Sequence, residues 1–181
     1  MNNIRKIFFA VLLMYSNSIF AQTDSAKTAT SNSALSISGY AELYYQYDFN
    51  KPVDNNRPGF IYSHNRHNEF NLNLGFLKAA YKTDKVRANL ALAAGTYMNA
   101  NYAAETGVMK NVYEANAGAK LGKKNLWVDA GIFSSHIGFE SAISKDCWTL
   151  TRSMLADNSP YYEAGAKITY TTNNGKWLLK I

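Results

Sequence analysis

From Ser36 onward apolar and polar residues alternate with a period of two, the spacing that puts one class of side chain on each face of a β-strand. In Ser36 to Asp48, Ile37, Gly39, Ala41, Leu43, Tyr45 and Tyr47 share one face, and Ser38, Glu42, Gln46 and Asp48 the other. From Glu69 to Phe76, Phe70, Leu72, Leu74 and Phe76 oppose Glu69, Asn71, Asn73 and Gly75. The parity blurs between Leu77 and Tyr81, which predicts a bulge or a strand end there. Further strands are predicted over Val86 to Met98, Tyr113 to Leu121, Leu126 to Ser134 and Tyr162 to Tyr170, with a last one starting at Trp177. Their polar faces carry Arg87, Glu114, Lys120, Asp129, Glu163 and Lys167.

The connections alternate in length. Asn50 to Asn65, Asn99 to Asn111 and Ser135 to Pro160 are long, whereas Lys82 to Lys85, Gly122 to Asn125 and Thr172 to Lys176 are tight and carry the Gly, Asn and Asp of hairpin turns. An antiparallel up-and-down meander with all its long loops at one end is the plan of an outer-membrane barrel. A soluble barrel would show the same alternation turned inside out. Three features favour the membrane version: strands near the nine to eleven residues of a tilted span, polar faces rich in Gly and Asn, and aromatics at the ends of the apolar faces. Tyr45, Tyr47, Tyr113, Tyr162, Tyr170 and Trp177 are expected to form the interfacial girdles.

Composition narrows the picture. Aromatic residues make up 14% of the 181, led by 13 Tyr, and the formal net charge is +6. One Cys excludes an internal disulfide and a Cys-rich zinc site, and no apolar run approaches the length of a membrane-spanning helix. The basic start at Arg5 and Lys6, the apolar Ile7 to Met14 and the small Ala21 predict a signal peptide over residues 1–21. Its removal takes away two bases and leaves a mildly basic chain that suggests no nucleic-acid partner. Residues 22–35, rich in Ser, Thr and Ala, read as a flexible periplasmic lead-in, and 36–181 as barrel.

The stretch DAGIFSSHIGFESAISKDCWTLTRSMLADNSPYY, Asp129 to Tyr162, followed by EAGAKITY, resembles the OmpL-like beta-barrel porins of bacterial outer membranes. SGYAELYYQYDFN and NEFNLNLGFLKAAYKTDKVRANLALAAGTY are similar to that family's first strands. The resemblance implies a closed barrel exported to the outer membrane. Seven strands, the last one short, do not close an even-stranded barrel, so the chain is expected to be the N-terminal part of a longer protein.

In a pore the chemistry lies in the lumen wall, here Glu42, Asp48, Glu69, Arg87, Glu114, Lys120, Asp129, Glu163 and Lys167. Six acids against three bases predict a wet, mildly cation-favouring lumen. The loop from Ser135 to Pro160 has too much apolar surface for a free connection. It is expected to fold into the mouth and carry Lys145, Asp146, Arg152 and Asp157 to a constriction, the alternative being an outer cap. His64 and His67 lack the spacing of a helical zinc motif and read as a surface or rim pair. Ser134, Ser135, His136 and Asp157 are a weak candidate for a hydrolase triad, since adjacent strand residues point to opposite faces. The expectation is therefore a passive porin for small hydrophilic solutes or ions, not an enzyme, with no cofactor or metal. Its partners are outer-membrane lipid, the solutes and, where it assembles, further copies of itself. A structural or adhesion barrel with partner-binding loops is the runner-up, ahead of a lipid enzyme or a soluble secreted barrel.

Overall fold

The computed structural model describes residues 34–122 and 124–181. The expected signal peptide, 1–21, lies outside the described residues, as does the lead-in except for Ala34 and Leu35. Seven strands form one antiparallel sheet in chain order: β1 (Leu35–Gln46), β2 (Glu69–Lys82), β3 (Val86–Ala94), β4 (Val112–Leu121), β5 (Leu126–Ser134), β6 (Tyr162–Thr171) and β7 (Leu178–Lys180). The sheet curls into an open half-barrel with β1 and β7 at its edges. The meander, its tight turns at one end and its long loops at the other are as the alternation predicts.

Register separates the two faces along the strands. On the outer face one row runs Ile37, Ala79, Leu90, Ala115, Ile132 and Ala164 across six strands. No outward position of β1 to β7 carries a charge. On the inner face one row runs Lys82, Arg87, Gly118, Asp129 and Lys167. The same alternation thus builds an apolar exterior and a charged interior.

Two bulges correct the expected parity. The register shifts between Glu42 and Leu43, where Asn73 is the extra residue of β2, and between Ala91 and Leu92, where Tyr113 is the extra residue of β4. An inserted residue moves all that follow to the other face. Phe70 stays outside, 87% exposed, but Leu74 and Phe76 turn inward, against their expected place beside Phe70. The break falls at Asn73 rather than between Leu77 and Tyr81. Tyr113 is buried inside, with its ring stacked on Phe76 at 5.4 Å, and Tyr162 stacks on the buried Tyr102 at 5.3 Å. Neither belongs to an outer girdle. Tyr45, Tyr47 and Trp177 are exposed as expected.

β3 also ends earlier than its hydrophobicity suggests. Gly95, at φ 132°, turns the chain after Ala94 into α1 (Thr96–Asn101), which brings Tyr97 and Met98 over the concave face. Tyr97, Met98 and the following Tyr102 join Leu74, Ala91, Ala93 and Tyr113 in a buried cluster inside the mouth, with Ala142 and Ile143 of the β5–β6 loop packed on it. Fully burying a large apolar side chain contributes about 1.5–3 kcal/mol, so this cluster anchors two long loops to the wall. A Cβ at Gly95 would lie 2.3 Å from the Asn73 carbonyl oxygen, in a backbone conformation that L side chains avoid. Gly95→Ala is expected to lower the unfolding free energy by at least about 1–3 kcal/mol, read as a lower urea midpoint of the folded protein. Gly59→Ala, with open space around it, leaves the midpoint unchanged.

Candidate functional site

The inner wall is a field of paired charges. Arg87 on β3 reaches across β4 to Asp129 on β5, with Nε 2.6 Å from Oδ1 and Nη2 2.5 Å from Oδ2. This fork-to-fork geometry is the strongest arrangement open to a guanidinium and a carboxylate. Asp129 is only 3% exposed, and the guanidinium also lies 4.4 Å from the centre of the Trp127 ring. The bridge spans two strand spacings because the residue between is Gly118, where a Cβ would come within 2.0 Å of Asp129 Oδ1. A glycine on a polar face here makes room for an ion pair.

Each of the six wall acids has a basic partner. Glu42 lies 2.5 Å from His64, Asp48 3.8 Å from Arg57, Glu69 2.7 Å from Arg66, Glu114 2.6 Å from Lys78 and Glu163 2.8 Å from His136, beside the Arg87–Asp129 bridge. Of the expected wall bases, Lys167 places its ammonium 3.9 Å from the Phe133 ring centre, and Lys120 has no side-chain partner among the described residues. Lys78 escaped the sequence reading because the bulge at Asn73 reverses the parity that placed it. Four of the six acids, Asp48, Glu69, Glu114 and Asp129, are thus matched by arginine or lysine, whereas Glu42 and Glu163 face imidazoles, which carry charge only when protonated.

Glu42 is the meeting point of two loops. Its Oε1 accepts from Ser144 Oγ at 2.5 Å and from Asn73 Nδ2 at 3.2 Å, and lies against His64 Nε2; its Oε2 accepts from Tyr40 at 2.7 Å. His64 belongs to the β1–β2 loop, and Ser144, in a turn of 3-10 helix (Ser144–Asp146), to the β5–β6 loop. Both imidazoles of the β1–β2 loop are buried, so they are not the surface or rim pair expected; His67 Nδ1 accepts from the Asp48 amide at 2.8 Å. The β5–β6 loop thus crosses the concave side of the sheet to reach β1.

Within that loop the four candidate residues have different surroundings. Lys145 Nζ sits 5.8 Å from the Tyr40 ring centre, and Asp146 is exposed. Arg152 turns into the loop: its donors reach the carbonyls of Ser141 at 2.7 Å and Leu150 at 3.2 Å, and Ser144 Oγ at 3.0 Å. Asp157 ends α2 (Met154–Asp157) beside a cavity of about 260 Å³ lined by Tyr97, Tyr113, Arg152 and Tyr161. Burial pushes its carboxyl up, against the opposing pull of Arg152. Glu140 accepts from the Ser153 hydroxyl and, at 3.1 Å, from its amide, which holds the Glu140 carboxyl below its usual range. Cys147 bonds within the loop to Ser141.

No triad assembles. Ser134 donates to Glu114, Ser135 to Glu163 at 3.4 Å, and His136 pairs with Glu163; no hydrogen bond joins either serine to the imidazole among the described residues. Among them no group of His, Cys, Asp or Glu is placed to hold a metal ion, and no helix is long and apolar enough to cross a membrane.

The family described as Putative beta-barrel porin-2, OmpL-like, matches residues 34–181. The chain belongs to that family. The match covers every strand of the sheet and all three long loops. Comparison with curated proteins and with solved structures gives no match.

Arg87→Ala leaves the Asp129 carboxylate buried without its partner and is expected to destabilise the protein by about 3–5 kcal/mol in urea unfolding. Adding Asp129→Asn, which removes the stranded charge, recovers most of the loss. Glu140 gives a pH dependence. Because its carboxyl is depressed, its contribution is complete above the unfolded-state value, about 4.3, and is lost as pH falls through the lower folded one. Limited proteolysis between Glu140 and Asp157 is expected to rise below about pH 4, and Glu140→Gln to show the same susceptibility already at neutral pH.

Proposed function

We propose that the chain is the wall and mouth of an outer-membrane porin that passes small hydrophilic solutes or ions passively. The observation that supports this most is the contrast between the faces: an exterior without charge across seven strands and an interior row of Lys82, Arg87, Asp129 and Lys167. Lipid tolerates the first and water the second. Export to the outer membrane through the signal peptide over residues 1–21 belongs to this reading. Open edges are not stable in lipid, so the functional barrel needs strands that pair with the free sides of β1 and β7. In this reading the β5–β6 loop, tied to β1 through Ser144 and Glu42, narrows the mouth, with Lys145 and Asp146 nearest the opening.

The buried cluster of Leu74, Tyr97, Met98, Tyr102 and Tyr113 favours one other reading, a plugged structural or adhesion barrel. The two differ in conductance. The native protein from outer-membrane fractions is expected to resist SDS until boiled and to give stepwise current in a planar bilayer. Deletion of 144–157 raises the single-channel step. Unchanged conductance overturns the constriction, and no current from a heat-modifiable wild type supports the plug.

A further inference from the structure

Below the mouth, the concave face forms a groove of about 700 Å³, lined by four basic side chains, Lys78, Arg87, Lys167 and Lys180, and two carboxylates, Glu114 and Asp129. Both carboxylates are neutralised by their own partners, Lys78 at 2.6 Å and Arg87 at 2.5 Å. Neither Lys167 nor Lys180 forms a salt bridge among the described residues, although Lys167 stands in register with the Asp129 that Arg87 binds. The two lysines are close to each other: Lys180 pairs in register with Thr169, which makes it the diagonal neighbour of Lys167 on the same inner face. Two like charges placed so repel unless something negative lies between them.

Thr169 itself is the third feature. It lines the same groove, is 7% exposed, and its hydroxyl is buried with no hydrogen-bond partner. An unpaired buried hydroxyl costs free energy and is the kind of group a transient ligand satisfies. Two lysines on the same inner face as this hydroxyl, in one groove, are complementary to chloride or to a carboxylate or phosphate oxygen, and repel a cation. The neighbouring pair deepens the asymmetry, since Arg87 and Trp127 fix the Asp129 carboxylate away from solute.

We infer that this half of the lumen favours small anions, inorganic or carboxylate-bearing, and that Lys167, Thr169 and Lys180 form their resting site on the wall. The inference rests on the porin reading and gives it a solute class. It replaces the cation preference expected from counting acids along the strands.

The test is the reversal potential of full-length protein in planar bilayers across KCl and potassium acetate gradients, for the wild type, Lys167→Glu/Lys180→Glu and Lys167→Gln/Lys180→Gln. The SDS heat shift confirms that each is folded, and the Gln pair keeps side-chain length without adding negative charge. In KCl the wild type is expected to give the sign of an anion-preferring channel, with the Gln pair near zero and the Glu pair reversed. A wild type that prefers cations, or an anion preference that neither variant changes, overturns the inference while leaving the porin intact. A folded wild type with no current overturns the porin reading and this inference with it.

Discussion

A strand has only two faces, and here one of them carries no charge from β1 to β7. Every charged strand residue is therefore driven to the concave side, where side chains are partly desolvated and an unmatched charge is costly. The Arg87–Asp129 bridge shows how the wall accommodates this. It needs a fork of donors long enough to cross a strand, a carboxylate directly in row, and nothing between them, and Gly118 supplies the last condition. Glu114 likewise reaches across one strand, to Lys78 on β2, and the other wall acids find partners on the loops.

Those inward bends make the mouth. All three long loops turn toward the same interior: His64 from the first, α1 from the second, and Ile143 and Ser144 from the third. The carboxylate of Glu42 joins the first and third through one oxygen, and the aromatic cluster joins the second and third. Polar and apolar anchors are thus side by side. The hydrogen bonds fix where the β5–β6 loop crosses, because a carboxylate accepts along defined directions, and the cluster supplies most of the burial that keeps it there. Arg152 keeps the loop compact by occupying its carbonyls, which explains why a residue that looks from sequence like a lumen cation points into the loop instead.

The strands were legible because period-two alternation is a local signal repeated over nine or more residues, and the turn chemistry at Thr172 to Gly175 or Gly122 is equally local. The departures have one cause. A bulge is a single inserted residue with no composition of its own, so Asn73 and Tyr113 look like ordinary members of their strands, yet they decide on which side Leu74, Phe76 and Lys78 fall. Gly95 was visible as a glycine, but its need for a positive φ arises from the approach of the Asn73 backbone, a contact made across the sheet. The residues of the wall could be named by parity; their partners could not. Pairing depends on register and on loops that cross about a hundred residues of sequence, as Ser144 does to meet Glu42.

The pairing changes what a charged wall does. A ring of free carboxylates attracts cations strongly, and an ion held strongly leaves slowly; passage requires a wall that offsets dehydration without capturing the solute. Ion pairs such as Glu114 with Lys78 and Asp129 with Arg87 present water-like dipoles of both signs and little net charge, which suits diffusion of polar solutes in general. Any preference must then come from the few groups left unmatched. In the proposed pore the groups of the lower wall without a salt bridge are Lys167 and Lys180, so a small number of lysines there weighs as much in the field as the larger number of acids held in bridges.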